Sequence, residues 1–300
     1  MIFSFFCFLA LFSSQSLKPD HENINYSFNL FQRTELDLWL AESQEPTPLV
    51  IYFHGGGFKG GDKKTINPNL LEQLLENKIS VAAVNYRLTW QAPFPAQMQD
   101  AGAAIQFLRS LSGDFNINPE QLGAIGGSAG GAISLWLGFN DDSNTRDNPR
   151  NIFPHRVSAK VQAVVAIGAQ TTLDPRVISK MFDTNVIDQP LYELFGMNHH
   201  GMNSFEHIEN PKFHPWFEWA SPINHLNVGD APVLLYYGQR NDPLPQNSPG
   251  HVYIHHPKFG FMLKEKMDEL NIECILKLQE NMENENINDH FVAFFNKHLK

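Results

Sequence analysis

Gln121-Leu122-Gly123-Ala124-Ile125-Gly126-Gly127-Ser128-Ala129-Gly130 decides the fold of this chain. The apolar run Gln121–Ile125 reads as a strand, and Gly131–Phe139 reads as a helix. Between them lies a G-x-S-x-G turn, which forces the chain sharply from strand to helix through Ser128. Glycine is needed on both sides, at Gly126 and Gly130, because such a turn is strained and the helix packs close against it. The turn lifts the Ser128 hydroxyl clear of the sheet, at the N-terminus of the next helix, as a nucleophile requires. A second glycine loop, His54-Gly55-Gly56-Gly57-Phe58, follows another apolar strand, Leu49–Phe53, upstream of the serine. A loop of that kind turns backbone N–H groups toward an oxygen that gains negative charge. Gly56 and Gly57, with Ala129 beside the serine, are the candidate donors. His54 precedes the loop and reads as the residue that fixes it, with Gly55 as structural support.

The segments around these loops alternate. Tyr26–Gln32 and Glu35–Leu40 read as an opening hairpin. Asn69–Leu75 is helical, Ile79–Tyr86 a strand, and Pro95–Leu111 a long helix with Ala101, Ala104, Ile105 and Leu108 on one face. Asp100 reads as a residue tying that helix to a neighbouring loop. Val161–Ile167 and Ala231–Tyr237 are continuous apolar runs, as strands covered on both faces require. Phe259–Leu270 is a helix, Ile272–Leu278 the last strand and Asp289–His298 the last helix. Strand–helix repetition of this kind makes a mostly parallel α/β sheet flanked by helices, with right-handed crossovers. Residues 171–229 interrupt the pattern and are too long for a simple connection. They contain the helical stretch Pro175–Met181, the run Tyr192–Phe195 and a stretch rich in aromatics and histidines, and they read as an inserted cap over the site.

The whole chain has 300 residues, 42% hydrophobic and 18% charged, with a formal net charge of −10 and no basic cluster. That excludes the electrostatic footprint of a nucleic-acid binder and argues against anionic membrane surfaces. The apolar run Ile2–Phe12 has the length of a signal-peptide core and is short for a membrane span; Ser13-Ser14-Gln15-Ser16 then offers a cleavage site near Ser16. The expected organisation is residues 1–16 as a signal peptide and residues 17–300 as one domain, secreted or periplasmic, without integral membrane association. Of two cysteines, Cys7 falls in the signal and Cys274 reads as a small buried apolar residue. His199, His200, His207 and His214 match no ligand spacing and read as cap residues, so no metal and no cofactor is expected.

The chain resembles the α/β-hydrolase fold, in particular the H-G-G-G esterases that include hormone-sensitive-lipase-like carboxylesterases and secreted acetyl-xylan or feruloyl esterases. The likeness rests on His54-Gly55-Gly56-Gly57, Asn85-Tyr86-Arg87-Leu88, Ala92-Pro93-Phe94-Pro95-Ala96 and Gly126-Gly127-Ser128-Ala129-Gly130-Gly131. It implies a serine ester hydrolase with its triad in the order Ser, acid, His. Ser128 would be the nucleophile and Gly56, Gly57 and Ala129 the oxyanion hole. Asp242, just past the strand Ala231–Tyr237, resembles the acid, one residue later than the usual G-x-x-D spacing. The insert Gln246–Lys258 follows it, with His251, His255 and His256, and leaves open that another carboxylate serves. His290, after the last strand and before the last helix, is the expected base. The implied substrates are short-chain, acetyl-type esters of a carbohydrate or another polar alcohol, free or in a polysaccharide. A non-catalytic ligand-binding relative and a serine peptidase of the same fold are the alternatives.

Overall fold

A computed structural model describes residues 17–27, 33–140, 157–201 and 205–300. Its centre is an eight-stranded sheet: β1 (His21–Asn25), β2 (Glu35–Trp39), β3 (Thr47–Phe53), β4 (Ser80–Val84), β5 (Ile117–Gly127), β6 (Ala163–Ile167), β7 (Val233–Tyr237) and β8 (Cys274–Leu278). The spatial order is β1-β2-β4-β3-β5-β6-β7-β8. β1 and β2 are antiparallel to their neighbours, and all pairs from β3–β4 to β7–β8 are parallel. The parallel sheet is the one expected from the strand–helix alternation, and its arrangement is the α/β-hydrolase one that the resemblance implies.

Parallel strands need helical crossovers, and these cover both faces. α1 (Pro68–Glu76) and the final helix, α9 (Ile287–Leu299), bury Leu70, Leu71, Leu74, Phe291, Phe294 and Phe295 on one face. α2 (Ala96–Ser110), α3 (Ala129–Phe139) and α8 (Lys258–Glu269) cover the other. Leu122 to Gly126 of β5 are therefore buried without alternation. Burying an aliphatic side chain of this kind contributes roughly 1.5–3 kcal/mol, so the strands that present the loops are the rigid part of the molecule. Arg87 clasps Asp100 with hydrogen bonds of 2.7 and 2.6 Å, both groups buried, and so ties α2 to the loop after β4. Cys274 is buried on β8 as a free thiol, pushed up to about 12 by burial.

Residues 171–229 carry α4 (Pro175–Phe182), α5 (Gln189–Leu194) and α6 (His214–Ala220), and α7 (Gly250–Tyr253) lies in the insert after β7. The opening strand differs from expectation. It spans His21–Asn25, with Tyr26 and Ser27 beyond its end and residues 28–32 outside the described residues. The Tyr26 ring is fully buried and its hydroxyl donates to the Asn85 carbonyl at 2.6 Å, so its apolarity serves the core and not a strand face. The expected signal, residues 1–16, also lies outside the described residues. Among those described, no helix is long and apolar enough to cross a membrane, and no group of three or more His, Cys, Asp or Glu is placed to hold a metal ion.

Candidate active site

The parallel strands end on one side, and their loops meet there. Ser128 follows β5 with φ 53° and ψ −120°, a left-handed backbone that costs a non-glycine residue of order 1–3 kcal/mol. Two hydrogen bonds hold it: its N–H donates to the Ile167 carbonyl at 2.8 Å, and its carbonyl accepts from the Ala132 N–H at 3.0 Å. The flanking glycines are obligatory. A Cβ on Gly130 would stand 2.0 Å from the Phe53 carbonyl oxygen, and one on Gly126 would stand 2.4 Å from the Gly130 carbonyl carbon.

The loop after β3 brings Gly55, Gly57 and Phe58 to the same place; Gly55 and Ser128 border one cavity, Gly57, Phe58 and Ser128 another. Gly56 has φ +112°, and a Cβ there would lie 2.4 Å from the Gly60 carbonyl oxygen, so only glycine makes this turn. His54 is buried beneath it. Burial lowers its pKa to about 4 and keeps the ring neutral. Its Nε2 lies 3.0 Å from the Arg33 guanidinium, which can only donate, so the proton sits on Nδ1 and is donated to the Gly55 carbonyl at 2.8 Å. The ring also stacks on Tyr86 at 4.3 Å. His54 is a strut of the glycine loop.

The histidine beside the serine is His255. Its Nε2 lies 3.0 Å from Ser128 Oγ. It stands on the β7–α8 connection, just after α7, and burial lowers its pKa. Among the described residues, no carboxylate pairs with either of its ring nitrogens. The ring packs on Gly168, where φ is +53° and a Cβ would stand 3.7 Å from His255 Cβ.

His290 is not brought to Ser128. It lies in the first turn of α9, where Phe291, Phe294 and Phe295 turn into the sheet and His290 turns outward, its Nε2 2.7 Å from Glu285 Oε2. Asp242 is not brought to a histidine ring through its carboxylate either. That carboxylate is 64% exposed and accepts from Arg240 Nε at 2.9 Å, while the Asp242 carbonyl accepts from His256 Nε2 at 2.9 Å. The loops that follow β7 and β8 fasten to each other instead, the Asn241 N–H donating to Glu280 Oε1 at 3.3 Å. The order rule looks past β8 for the histidine, whereas the histidine that stands beside Ser128 comes from the insert after β7. The signal that finds it is that insert itself, with histidines at 251, 255 and 256 one loop from the serine.

Ser128 separates two spaces. One is a cavity of about 30 Å³ bordered by Gly57, Leu173, Asp188, Leu191, Ile254 and Phe259. Leu173, Asp188 and Leu191 come from the 171–229 segment. The other, about 530 Å³ and open to solvent, is bordered by Gly55, Gly168, Tyr236, Gly238, Gln239 and His255.

Sheet order, glycine loop and serine turn together define an α/β-hydrolase site. Within that class the chain belongs to the BD-FAE family, whose sequence model matches residues 36–251 and so stops just short of His255. Carboxylesterase NlhH of Mycobacterium tuberculosis is 31% identical over 99 residues, 33% of this chain and 31% of its own. Human arylacetamide deacetylase-like 2 is 37% identical over 119 residues, 38% of this chain and 30% of its own. The chain thus spans about a third of the length of these curated relatives. Among solved structures, a truncated carbohydrate esterase from gut microbiota superposes with a TM-score of 0.72 at 19% identity, covering 95% of this chain and 98% of that one. An acetyl ester-xyloside bifunctional hydrolase from Caldicellulosiruptor lactoaceticus gives 0.67 at 19% identity, covering 94% and 98%. Both likenesses concern the fold.

Proposed function

We propose that the protein hydrolyses short-chain carboxylic esters, acetyl esters above all, through a covalent acyl-serine, with Ser128 as nucleophile and His255 as base. The observation that carries this is the 3.0 Å separation of Ser128 Oγ and His255 Nε2 at a strained strand-to-helix turn. A serine hydroxyl is a weak nucleophile until a base takes its proton. Ser128 Oγ bonds to the ester carbonyl carbon as its proton passes to His255 Nε2. The carbonyl electron pair moves to oxygen, and that oxyanion accepts hydrogen bonds from the N–H groups of Gly56, Gly57 and Ala129. Each such donor lowers the barrier by about 3 kcal/mol. Return of the electron pair breaks the bond to the alcohol, and His255 gives the proton to the departing oxygen. Water then repeats the sequence on the acyl-serine.

Acyl length follows from the two spaces beside the serine. The narrow cavity walled by Leu173, Leu191 and Phe259 suits a short acyl chain. The open side takes the alcohol, and the Tyr236 hydroxyl and the exposed backbone of Gly168 and Gly238 there suit a sugar or another polar alcohol, free or within a polysaccharide. Carbohydrate-esterase names among the fold neighbours agree with this choice. The proposal includes export, with cleavage near Ser16, which N-terminal sequencing of the mature protein tests.

One observation favours a second reading, a ligand-binding relative without turnover: no carboxylate among the described residues orients His255. Hydrolysis of p-nitrophenyl acetate separates the two. Turnover by the wild type that vanishes in Ser128→Ala supports the enzyme. Absence of turnover on every ester from acetate to octanoate, or equal turnover by Ser128→Ala, overturns it.

A further inference from the structure

An imidazole that serves as base without a carboxylate still has to be held at one angle to the serine. Ring orientation is then inherited from the backbone that carries it, and two side-chain amides hold the carbonyls of that backbone. Gln170, three residues past the end of β6, donates its side-chain amide to the Ile254 carbonyl at 2.5 Å. Gln239, two residues past the end of β7, donates its amide to the Val252 carbonyl at 2.7 Å. The two carbonyls lie one and three residues before His255. The Gln170 amide also reaches the Gly168 carbonyl at 3.5 Å, and Gly168 is the residue on which the His255 ring packs. The same amide thus spans the floor of the ring and the chain that bears it.

Both glutamines lie past the ends of their strands. Gln170 is buried beside Leu173, Ile178, Ile254 and Phe259, surroundings in which an amide is costly unless it is hydrogen-bonded. Gln239 borders the open space on the other side of the ring. The geometry points to Gln170 and Gln239 as a pair of positioning residues that clamp the His255 segment from the ends of neighbouring strands, in place of an orienting carboxylate. This rests on the reading of His255 as the base of an acyl-serine mechanism. The clamp sets the ring's angle, and burial alone keeps it neutral.

Gln170→Met and Gln239→Met keep volume and remove the donor. Each is expected to lower kcat for p-nitrophenyl acetate by roughly 10- to 100-fold, part of the 10²–10⁴ that a general base supplies, with KM nearly unchanged. The rate at which a small organophosphonate labels Ser128 falls in step. Gln170→Glu adds a readout that a packing role does not move. A carboxylate there faces the Ile254 carbonyl without a proton to donate, whereas the carboxylic acid donates as the amide does. Its activity relative to wild type therefore rises as pH falls. Wild-type kcat and labelling rate in both methionine variants, or a pH-independent ratio for Gln170→Glu, would overturn the clamp. If Gln170→Met does not fold, Gln239→Met decides alone, since Gln239 is half-exposed. A wild type that neither hydrolyses short esters nor takes the label at Ser128 fails the esterase reading itself, a different result from label at equal rates in wild type and variants.

Discussion

Three histidines divide the chemistry of this site by surroundings and not by sequence neighbourhood. His255 touches the serine, His54 props the glycine loop, and His290 stands with Glu285 at the outer surface. His255→Ala is therefore expected to cut kcat by roughly 10²–10⁴, while His290→Ala and Asp242→Asn stay within about twofold of wild type in kcat/KM, since neither meets the serine or its partner. Steady-state kinetics on p-nitrophenyl acetate checks all three, and loss of activity in His290→Ala alone would reverse the assignment. Burial lowers the pKa of His255, so the acid limb of kcat/KM should fall below about 6.5, the ordinary imidazole value. His54 carries a stability consequence. Its native pKa, lowered by burial to about 4, is below the unfolded value, so the unfolded chain takes up a proton first as pH drops. Its contribution is complete above pH ~6.5 and is lost between there and about pH 4, at most about 3 kcal/mol for a shift of this size. Urea melts at stepped pH should show that loss, and His54→Gln should flatten it.

Elements whose logic is local were legible from residue order alone. The strand before Ser128, the turn and α3 follow from apolar runs and glycines within a few residues of one another. The β3 loop is legible for the same reason, and it yields a sharp test. With φ +112° at Gly56 and a Cβ only 2.4 Å from the Gly60 carbonyl oxygen, Gly56→Val must rebuild the loop. Ester turnover should fall by roughly 10²–10³, the cost of losing one oxyanion donor, with a smaller change in KM; an unchanged kcat would make the loop a simple turn. The partner of Ser128 was not legible, because it is set by a 127-residue separation that only tertiary structure closes. Asp242 and His290 occupy the expected stations after β7 and β8, yet neither side chain points to the serine. The short opening strand was missed for a related reason: Tyr26 looks like a strand residue, but a tertiary hydrogen bond to Asn85 holds it.

At the scale of the whole molecule, the rigid sheet supplies one wall of the site and the 171–229 segment the other. Leu173 and Leu191 close the small cavity from that segment, beside Phe259 at the start of α8. Acetate and propionate esters should outrun octanoate by a wide margin in kcat/KM, and Leu191→Ala should shift the preference toward butyrate. A chain-length series of p-nitrophenyl esters decides this, and preference for octanoate by the wild type would place the acyl group elsewhere.

The strip of chain that carries His255 belongs to no strand of the sheet. Besides the glutamine amides, it is fastened by the Tyr253 hydroxyl, bonded to Asp188 and Val186 at 3.0 and 2.6 Å, by His256, whose Nε2 donates to the Asp242 carbonyl at 2.9 Å, and at Gly250, whose missing side chain leaves room for Asp188. The serine and its turn, by contrast, are fixed to the centre of the parallel ladder. Sub-global openings draw on regions held by few contacts. Mild denaturant should then silence the protein while its far-ultraviolet dichroism is still native, and dilution should restore activity at once. Amide exchange should give the same ranking, with the 250–256 backbone trading protons well before that of 122–127. Coincident midpoints for activity and secondary structure would mean that the strip and the ladder melt as one.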